Sequence, residues 1–161
     1  MKTLSESLHA ALLEAEVPEW IRRTAKLIPG ATIKPENYYS GNNNANKQGH
    51  DDPDTAKICK LFSKILLIRS AEVSSGRIEI VTPKLVHVTY EFLFGSRITF
   101  NVRTSYAQRI QTQLLDELPH DSFESIKVLG GHEINIALPK SRKAKAAQEI
   151  LEYISTNGLI S

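Results

Sequence analysis

Hydrophobic and polar residues alternate along residues 77–103, which is the clearest structural pattern in the chain. Alternation with a period of two is typical of strands with one buried face, so this segment predicts three consecutive antiparallel strands. The face predicted to lie in the core carries Ile78, Ile80, Val86, Val88, Tyr90, Phe92, Ile98, Phe100 and Val102. The opposite face carries Arg77, Glu79, His87, Thr89, Glu91, Thr99, Asn101 and Arg103.

The register of this meander follows from matching apolar residues across each turn. A first turn at residues 82–84 places Ile80 opposite Val86 and Glu79 opposite His87. A tight two-residue second turn would place apolar residues of one strand opposite polar residues of the next. An odd-length loop or a bulge at residues 94–97 is therefore predicted. That loop brings Phe92 near Ile98 or Phe100.

Three further helices and a second hairpin surround the meander in sequence. Asp52 and Pro53 form a helix start, and the helix is predicted to run to about Arg69 with Lys57, Lys60 and Lys64 on one exposed stripe. Residues 104–118 predict a second helix. SIKVL and HEINIAL predict two strands joined by a loop at residues 129–131, with Val128 opposite His132, and Ser141 is predicted to cap a final helix.

The amino-terminal third has a different pattern. Residues 1–30 predict a pair of amphipathic helices, residues 31–51 a flexible loop rich in amides and turn formers, and residues 52–161 an α+β domain. The predicted domain has an antiparallel sheet of about five strands with helices packed on one face. Tyr38 and Tyr39 in the loop are candidate partner-binding residues, with a loosely packed linker as the alternative.

The element order from Pro53 onward is helix, three strands, helix, two strands, helix. This order is similar to that of class I type III secretion chaperones, and its first five elements are similar to double-stranded-RNA-binding domains. The similarity is one of element order alone, without a shared residue motif, and it implies either a partner-binding dimer or an RNA-binding module.

Composition constrains the class of protein more than its function. The 161 residues carry a net charge of +2, with 41% hydrophobic and 24% charged residues, which is ordinary for a soluble globular domain. No secretory signal or membrane-spanning stretch is evident, so a cytoplasmic location without membrane contact is predicted. The single cysteine, Cys59, is predicted to be a buried small hydrophobe. No metal site and no cofactor are predicted, because helix capping already explains Asp52 and Asp54 near His50.

Two groups of residues are candidates for function. Lys140, Arg142, Lys143 and Lys145 crowd the predicted start of the last helix, where the helix dipole disfavours cations and a bound phosphate would offset the cost. His87 beside Glu79 on the sheet face resembles a general base oriented by a carboxylate, and Glu91, Asn101 and Arg103 share that face. Ordinary solvated surface charge is the alternative for both groups.

These observations favour a non-enzymatic nucleic-acid-binding module. Phosphate contacts are predicted for the four cations at the start of the last helix and for the stripe of Lys57, Lys60 and Lys64. A cluster at Arg22, Arg23 and Lys26 adds positive charge that favours the same function. One alternative is a protein-binding adaptor or chaperone-like homodimer that captures a partner through the helical pair, the tyrosine loop or a strand edge. The other is a hydrolase or phosphodiesterase that uses His87 and Glu79.

Overall fold

The fold is α+β, as the sequence predicts, in a computed structural model that describes residues 19–34, 53–74, 76–92 and 95–160. The helices within these ranges are α1 (Glu19–Lys26), α2 (Pro53–Ile65), α3 (Thr104–Glu117) and α4 (Lys143–Thr156), with a short 3-10 helix at His120–Ser122. The strands are β1 (Thr32–Ile33), β2 (Ser70–Val73), β3 (Arg77–Val81), β4 (His87–Glu91), β5 (Arg97–Asn101), β6 (Ser125–Leu129) and β7 (Glu133–Ala137). The predicted first amino-terminal helix, Asp52, Tyr38 and Tyr39 lie outside the described residues.

The strands form one sheet of seven in the order β1-β2-β3-β4-β5-β7-β6. β1 runs parallel to β2, and every other neighbouring pair is antiparallel. The prediction of about five antiparallel strands is therefore wrong in number and in direction. β1 lies in the segment assigned to a loop, and β2 follows α2 closely because that helix ends at Ile65 rather than near Arg69. The order after Pro53 is thus helix, four strands, helix, two strands, helix, which departs from the order on which the similarity to both families rests.

The first hairpin has a longer loop than predicted. Val81 pairs with His87 and Ile80 with Val88, so the loop spans residues 82–86 and the register is displaced by two residues from the prediction. The Thr82 hydroxyl oxygen accepts a hydrogen bond from the Val86 amide at 3.1 Å, and the Leu85 amide donates to the Thr82 carbonyl at 2.8 Å. These bonds close the loop around Leu85.

The other two hairpins support the predicted loop lengths but not the predicted partners. Glu91 pairs with Arg97, which leaves an odd-length loop, yet Ile98 lies opposite Tyr90 rather than near Phe92. β6 and β7 are joined by a three-residue loop at residues 130–132, one position later than predicted. Gly130 and Gly131 have φ angles of 58° and 77°, a left-handed conformation that glycine adopts without steric cost.

One face of the sheet is apolar and the helices cover it. Two rows of apolar side chains cross the sheet from β2 to β6, namely Val73, Ile78, Tyr90, Ile98, Ile136 and Ile126, and Ala71, Ile80, Val88, Phe100, Ile134 and Val128. α2 and α4 pack side by side, α1 packs on β1 and β2, and α3 packs on β6. Buried residues of all four helices, including Ile21 of α1, belong to the same core as the sheet.

The helix starts differ in detail from the predictions. α3 begins after Arg103 and α4 after Arg142, and neither helix has a side-chain cap, so the predicted cap by Ser141 is wrong. Among the described residues, no helix has the length and apolar character needed to cross a bilayer.

Candidate functional site

Two neighbouring helices expose cations on their outer sides. In α2, Lys57, Lys60 and Lys64 are exposed, whereas Ile58 and Phe62 are buried. In α1, Arg22, Arg23 and Lys26 are exposed, whereas Ile21 and Thr24 are buried. The Ser63 hydroxyl near the end of α2 donates to the carbonyl of Leu27, just beyond α1, at 3.4 Å. We call these six cations the basic helical face.

The cations at the start of α4 are divided between the solvent and the protein. Lys140 and Lys145 are exposed, whereas Arg142 and Lys143 are half-buried. The Arg142 guanidinium lies 3.0 Å from the carboxylate of Asp121 and 3.0 Å from that of Glu149, and it donates to the Asp121 carbonyl at 2.8 Å. Arg142 thus already has two carboxylate partners, which leaves Lys140 and Lys145 as the exposed cations of this cluster.

The Arg142 contacts belong to a network that fixes the 3-10 helix to α4. The hydroxyl of Ser122, a completely buried residue, donates a short hydrogen bond to Glu149. Arg142 donates to the other oxygen of the same carboxylate at 3.0 Å. Glu149 therefore joins two segments that are far apart in sequence.

We expect Glu149→Ala to lower the free energy of unfolding by about 1–3 kcal/mol, because the buried Ser122 hydroxyl and Arg142 both lose a partner. The matched control is Glu152→Ala in the same helix, where the exposed carboxylate contacts only Gln148 in the described structure, at 3.0 Å. We expect that control to change stability by less than about 0.5 kcal/mol. Urea unfolding curves measure both values, and equal losses would contradict the network.

His87 and Glu79 meet on the sheet face opposite the four described helices. The His87 Nδ1 atom lies 3.0 Å from the Glu79 Oε1 atom. The contact is diagonal, because Glu79 pairs with Thr89, so the predicted direct opposition is wrong although the two side chains touch. Their side chains are 47% and 32% exposed, and exposed pairs of this kind typically contribute at most about 1 kcal/mol.

The other residues of the predicted sheet-face group do not join this pair. Glu91 lies opposite Arg77 and Arg97 at the other end of the strands, away from His87. Arg103 lies beyond the end of β5 and lines a cleft. The structure therefore brings together a partly exposed histidine and a carboxylate on the surface of the sheet.

The cleft has a volume of about 550 Å³ and lies between α3, the loop that joins β3 to β4, and the turn that follows α4. Its polar lining residues are Asn101, Arg103, Tyr106, Arg109 and Gln113. Tyr106 and Arg109 are not among the candidate residues predicted from the sequence. The signal that could have found them is the three-residue spacing of Arg103, Tyr106 and Arg109, which puts two cations and an aromatic ring on one side of α3.

A hydrogen-bonded group holds one wall of this cleft. The Gln113 amide donates to the Tyr153 hydroxyl at 2.8 Å, and that hydroxyl donates a short hydrogen bond to Glu117. Partial desolvation, and then the hydrogen bond to Glu117, raises the pKa of the Tyr153 hydroxyl above its ordinary value. The hydroxyl therefore keeps its proton and remains a donor.

Cys59 is enclosed by the core, and the described residues contain no group of side chains that could hold a metal ion. Cys59 is completely buried, as predicted, and burial raises the pKa of its thiol to about 12. A reactive thiolate is thereby disfavoured. Among residues 19–34, 53–74, 76–92 and 95–160, no group of three or more His, Cys, Asp or Glu side chains could hold a metal ion.

Two surfaces of the described structure bring several exposed cations close together without a carboxylate partner among the described residues. One is the lysine stripe of the basic helical face, and the other is the cleft beside α3. They lie on different helices and differ in shape, since the first is an outer helical surface and the second a concave pocket.

No protein-family model, curated protein or solved structure matches this chain.

Proposed function

We propose that this protein is a non-enzymatic nucleic-acid-binding module that contacts phosphates through the basic helical face. The observation that carries the proposal is the stripe of Lys57, Lys60 and Lys64 on α2. All three are exposed, and none forms an ion pair in the part of the chain that the structure describes. A row of unpaired cations on a helix is the electrostatic footprint that a phosphate backbone matches.

The stripe weakens α2 unless an anion is bound. Lys57 and Lys60 are three residues apart and Lys60 and Lys64 four, so they are neighbours on the helix surface. Like charges at this spacing destabilise a helix by about 0.2–0.5 kcal/mol per pair. A bound polyanion removes this repulsion.

The exposed cations at the start of α4 lie at the same end of the helical layer as the start of α2. α2 leads into β2, whose first residue, Ser70, lies opposite Val81 at the end of β3. The residues after α4 reach the same end of the strands, where the Thr82 hydroxyl donates to the carbonyl of Ile160 at 3.2 Å. Both helices therefore run towards the end of the sheet that carries the β3-β4 loop, and both start at the opposite end. Lys140 and Lys145 thus belong to the end at which the lysine stripe begins, and they support the proposed phosphate contacts.

The composition of the surface favours backbone contacts over base recognition. The other exposed residues of α2 are Pro53 and Ala56, and neither hydrogen-bonds to base edges through its side chain. Contacts to phosphates position a protein without reading sequence. The proposal therefore implies binding that depends strongly on salt and weakly on base sequence.

We expect the variant K57Q/K60Q/K64Q to bind labelled single-stranded and double-stranded DNA and RNA at least about tenfold more weakly than the unmodified protein. Glutamine and lysine have similar helix propensities, so α2 should remain intact. The matched control is R77Q/K84Q/K127Q, which removes the same number of exposed cations from the strands and the β3-β4 loop. Fluorescence anisotropy at low and near-physiological salt gives the affinities.

Each outcome decides between the alternatives. A loss confined to the stripe variant supports the basic helical face. Equal losses in both variants, or no binding at low salt, contradict it. A protein partner that stays bound at high salt would favour the adaptor function instead, and activity that disappears in folded His87→Ala protein would favour the enzyme.

A further inference from the structure

We propose that the cleft beside α3 binds a small amphipathic organic anion, with a carboxylate or phosphate group at one end and a short apolar body. This inference is independent of the proposed nucleic-acid binding, because the cleft and the basic helical face use different residues. It rests on the charge of the cleft, on its apolar wall and on the conformation of Leu85.

The charge of the cleft selects an anion. Arg103 and Arg109 both line it, no carboxylate among the described residues does so, and neither arginine forms an ion pair within the described structure. The Arg109 guanidinium carbon lies 4.6 Å from the centre of the Tyr106 ring, a cation–π contact that positions the guanidinium without neutralising it. The planar donor array of arginine matches the oxygens of a carboxylate or a phosphate.

The start of α3 increases the positive potential at this place. Arg103 is the residue that precedes the helix, its side chain forms no cap, and the first turn contains no acidic residue. The positive end of the helix dipole therefore remains beside the arginines. Asn101 supplies an exposed amide at the same rim.

The rest of the cleft favours a ligand whose remaining part is apolar. Leu85, Val86, Ile110 and Leu159 contribute to its lining. Leu85 is 60% exposed although it is a large aliphatic residue. A volume of about 550 Å³ lies within the range of about 300–1,000 Å³ that is typical of sites for small organic ligands.

The backbone at Leu85 is left-handed, and its amide closes the β3-β4 loop by donating to the Thr82 carbonyl at 2.8 Å. Its φ angle is 65°, and it is the only non-glycine residue with positive φ in the described ranges. A branched side chain in this left-handed conformation costs free energy, and glycine or asparagine is the usual residue there. This loop conformation holds the exposed Leu85 side chain at the cleft, where a ligand can contact it.

The test is a titration followed by amide chemical shifts, with octanoate, octyl phosphate, octanol and inorganic phosphate as probes, all below micelle-forming concentrations. We expect octanoate or octyl phosphate to shift the amides of Leu85, Tyr106 and Gly158, and octanol and inorganic phosphate to bind at least about tenfold more weakly. Tighter binding of octanoate identifies a carboxylate ligand, and tighter binding of octyl phosphate identifies a phosphate monoester.

Variants separate specific binding from general attraction. We expect R103Q/R109Q to weaken binding of the preferred anion at least about tenfold, whereas Lys127→Gln, which removes an exposed cation outside the cleft, should change it less than about twofold. Leu85→Asn is expected to keep or raise the unfolding temperature, since asparagine tolerates positive φ, and yet to weaken binding.

Four results would each overturn the inference. The first is octanol binding as tightly as the anions, and the second is inorganic phosphate binding as tightly as octyl phosphate. The third is the absence of any shift at the cleft with millimolar anion. Binding that R103Q/R109Q and Lys127→Gln weaken equally, in variants whose unfolding temperatures show that they fold, would also overturn it.

Discussion

Replacing Phe62 with alanine is expected to lower the free energy of unfolding by about 3–5 kcal/mol. Phe62 is completely buried in α2, and its ring centre lies 6.1 Å from that of Tyr90 in the central strand β4. The Tyr90 ring in turn lies 5.6 Å from that of Phe92. The substitution leaves a cavity between the helical layer and the sheet, and it removes aromatic contacts that join the two layers.

The control for this prediction is Leu67→Ala. Leu67 is also a large apolar residue close to α2 in sequence, but it is 79% exposed, so its replacement should change stability by less than about 0.5 kcal/mol. Urea denaturation of the two variants measures the difference. Similar losses for Phe62→Ala and Leu67→Ala would mean that α2 does not pack on the sheet as described.

The thiol of Cys59 is expected to react about a thousandfold more slowly with iodoacetamide at pH 8 in the folded protein than in urea. Burial raises its pKa from 9.0 to about 12, so the reactive thiolate is rarer by that factor, and limited access slows the reaction further. The folded state holds this proton more tightly than the unfolded chain. The contribution of Cys59 to stability is therefore complete below pH 9 and decreases as the pH rises towards 12.

Mass spectrometry of the alkylated protein over time, from pH 7 to pH 10, measures both rates. The rate in urea should level off above pH 9, whereas the rate in the folded protein should keep rising. A folded-state rate that approaches the rate in urea at pH 8 would show that Cys59 is not enclosed between α2 and the core.

Period-two alternation predicted which residues of β3 to β5 face the core, but it did not predict the register. A displacement of two residues returns every side chain to the same face, so the pattern is equally satisfied by Ile80 opposite Val86 and by Ile80 opposite Val88. Loop geometry chooses between them. The choice depends on hydrogen bonds made by Thr82 and on the unusual conformation of Leu85, which no pattern of apolar residues reveals.

The missed strands have a similar explanation. In β2, Ala71 and Val73 are buried and Ser70 and Glu72 are exposed, so the strand does alternate. Serine, alanine and glutamate have weak strand propensity, and the strand exists because it pairs with β3 in the sheet. β1 consists of two residues that pair with β2, which is too short for any periodic signal.

The candidate surfaces differ in how far the sequence could reveal them. Helical spacing predicted the stripe of Lys57, Lys60 and Lys64 because all three lie on one element. The neutralisation of Arg142 could not be predicted, since it needs a carboxylate from the distant 3-10 helix. The cleft likewise depends on segments from four parts of the chain that only the fold brings together.

The assignment of the basic helical face to phosphate binding is tested most directly by the salt dependence of affinity for a DNA duplex. The slope of log K against log salt concentration is about −0.9 for each phosphate contact. Loss of Lys57, Lys60 and Lys64 should therefore make the slope less negative by up to about 2.7, while R77Q/K84Q/K127Q should leave it unchanged. An unchanged slope in K57Q/K60Q/K64Q would contradict the assignment.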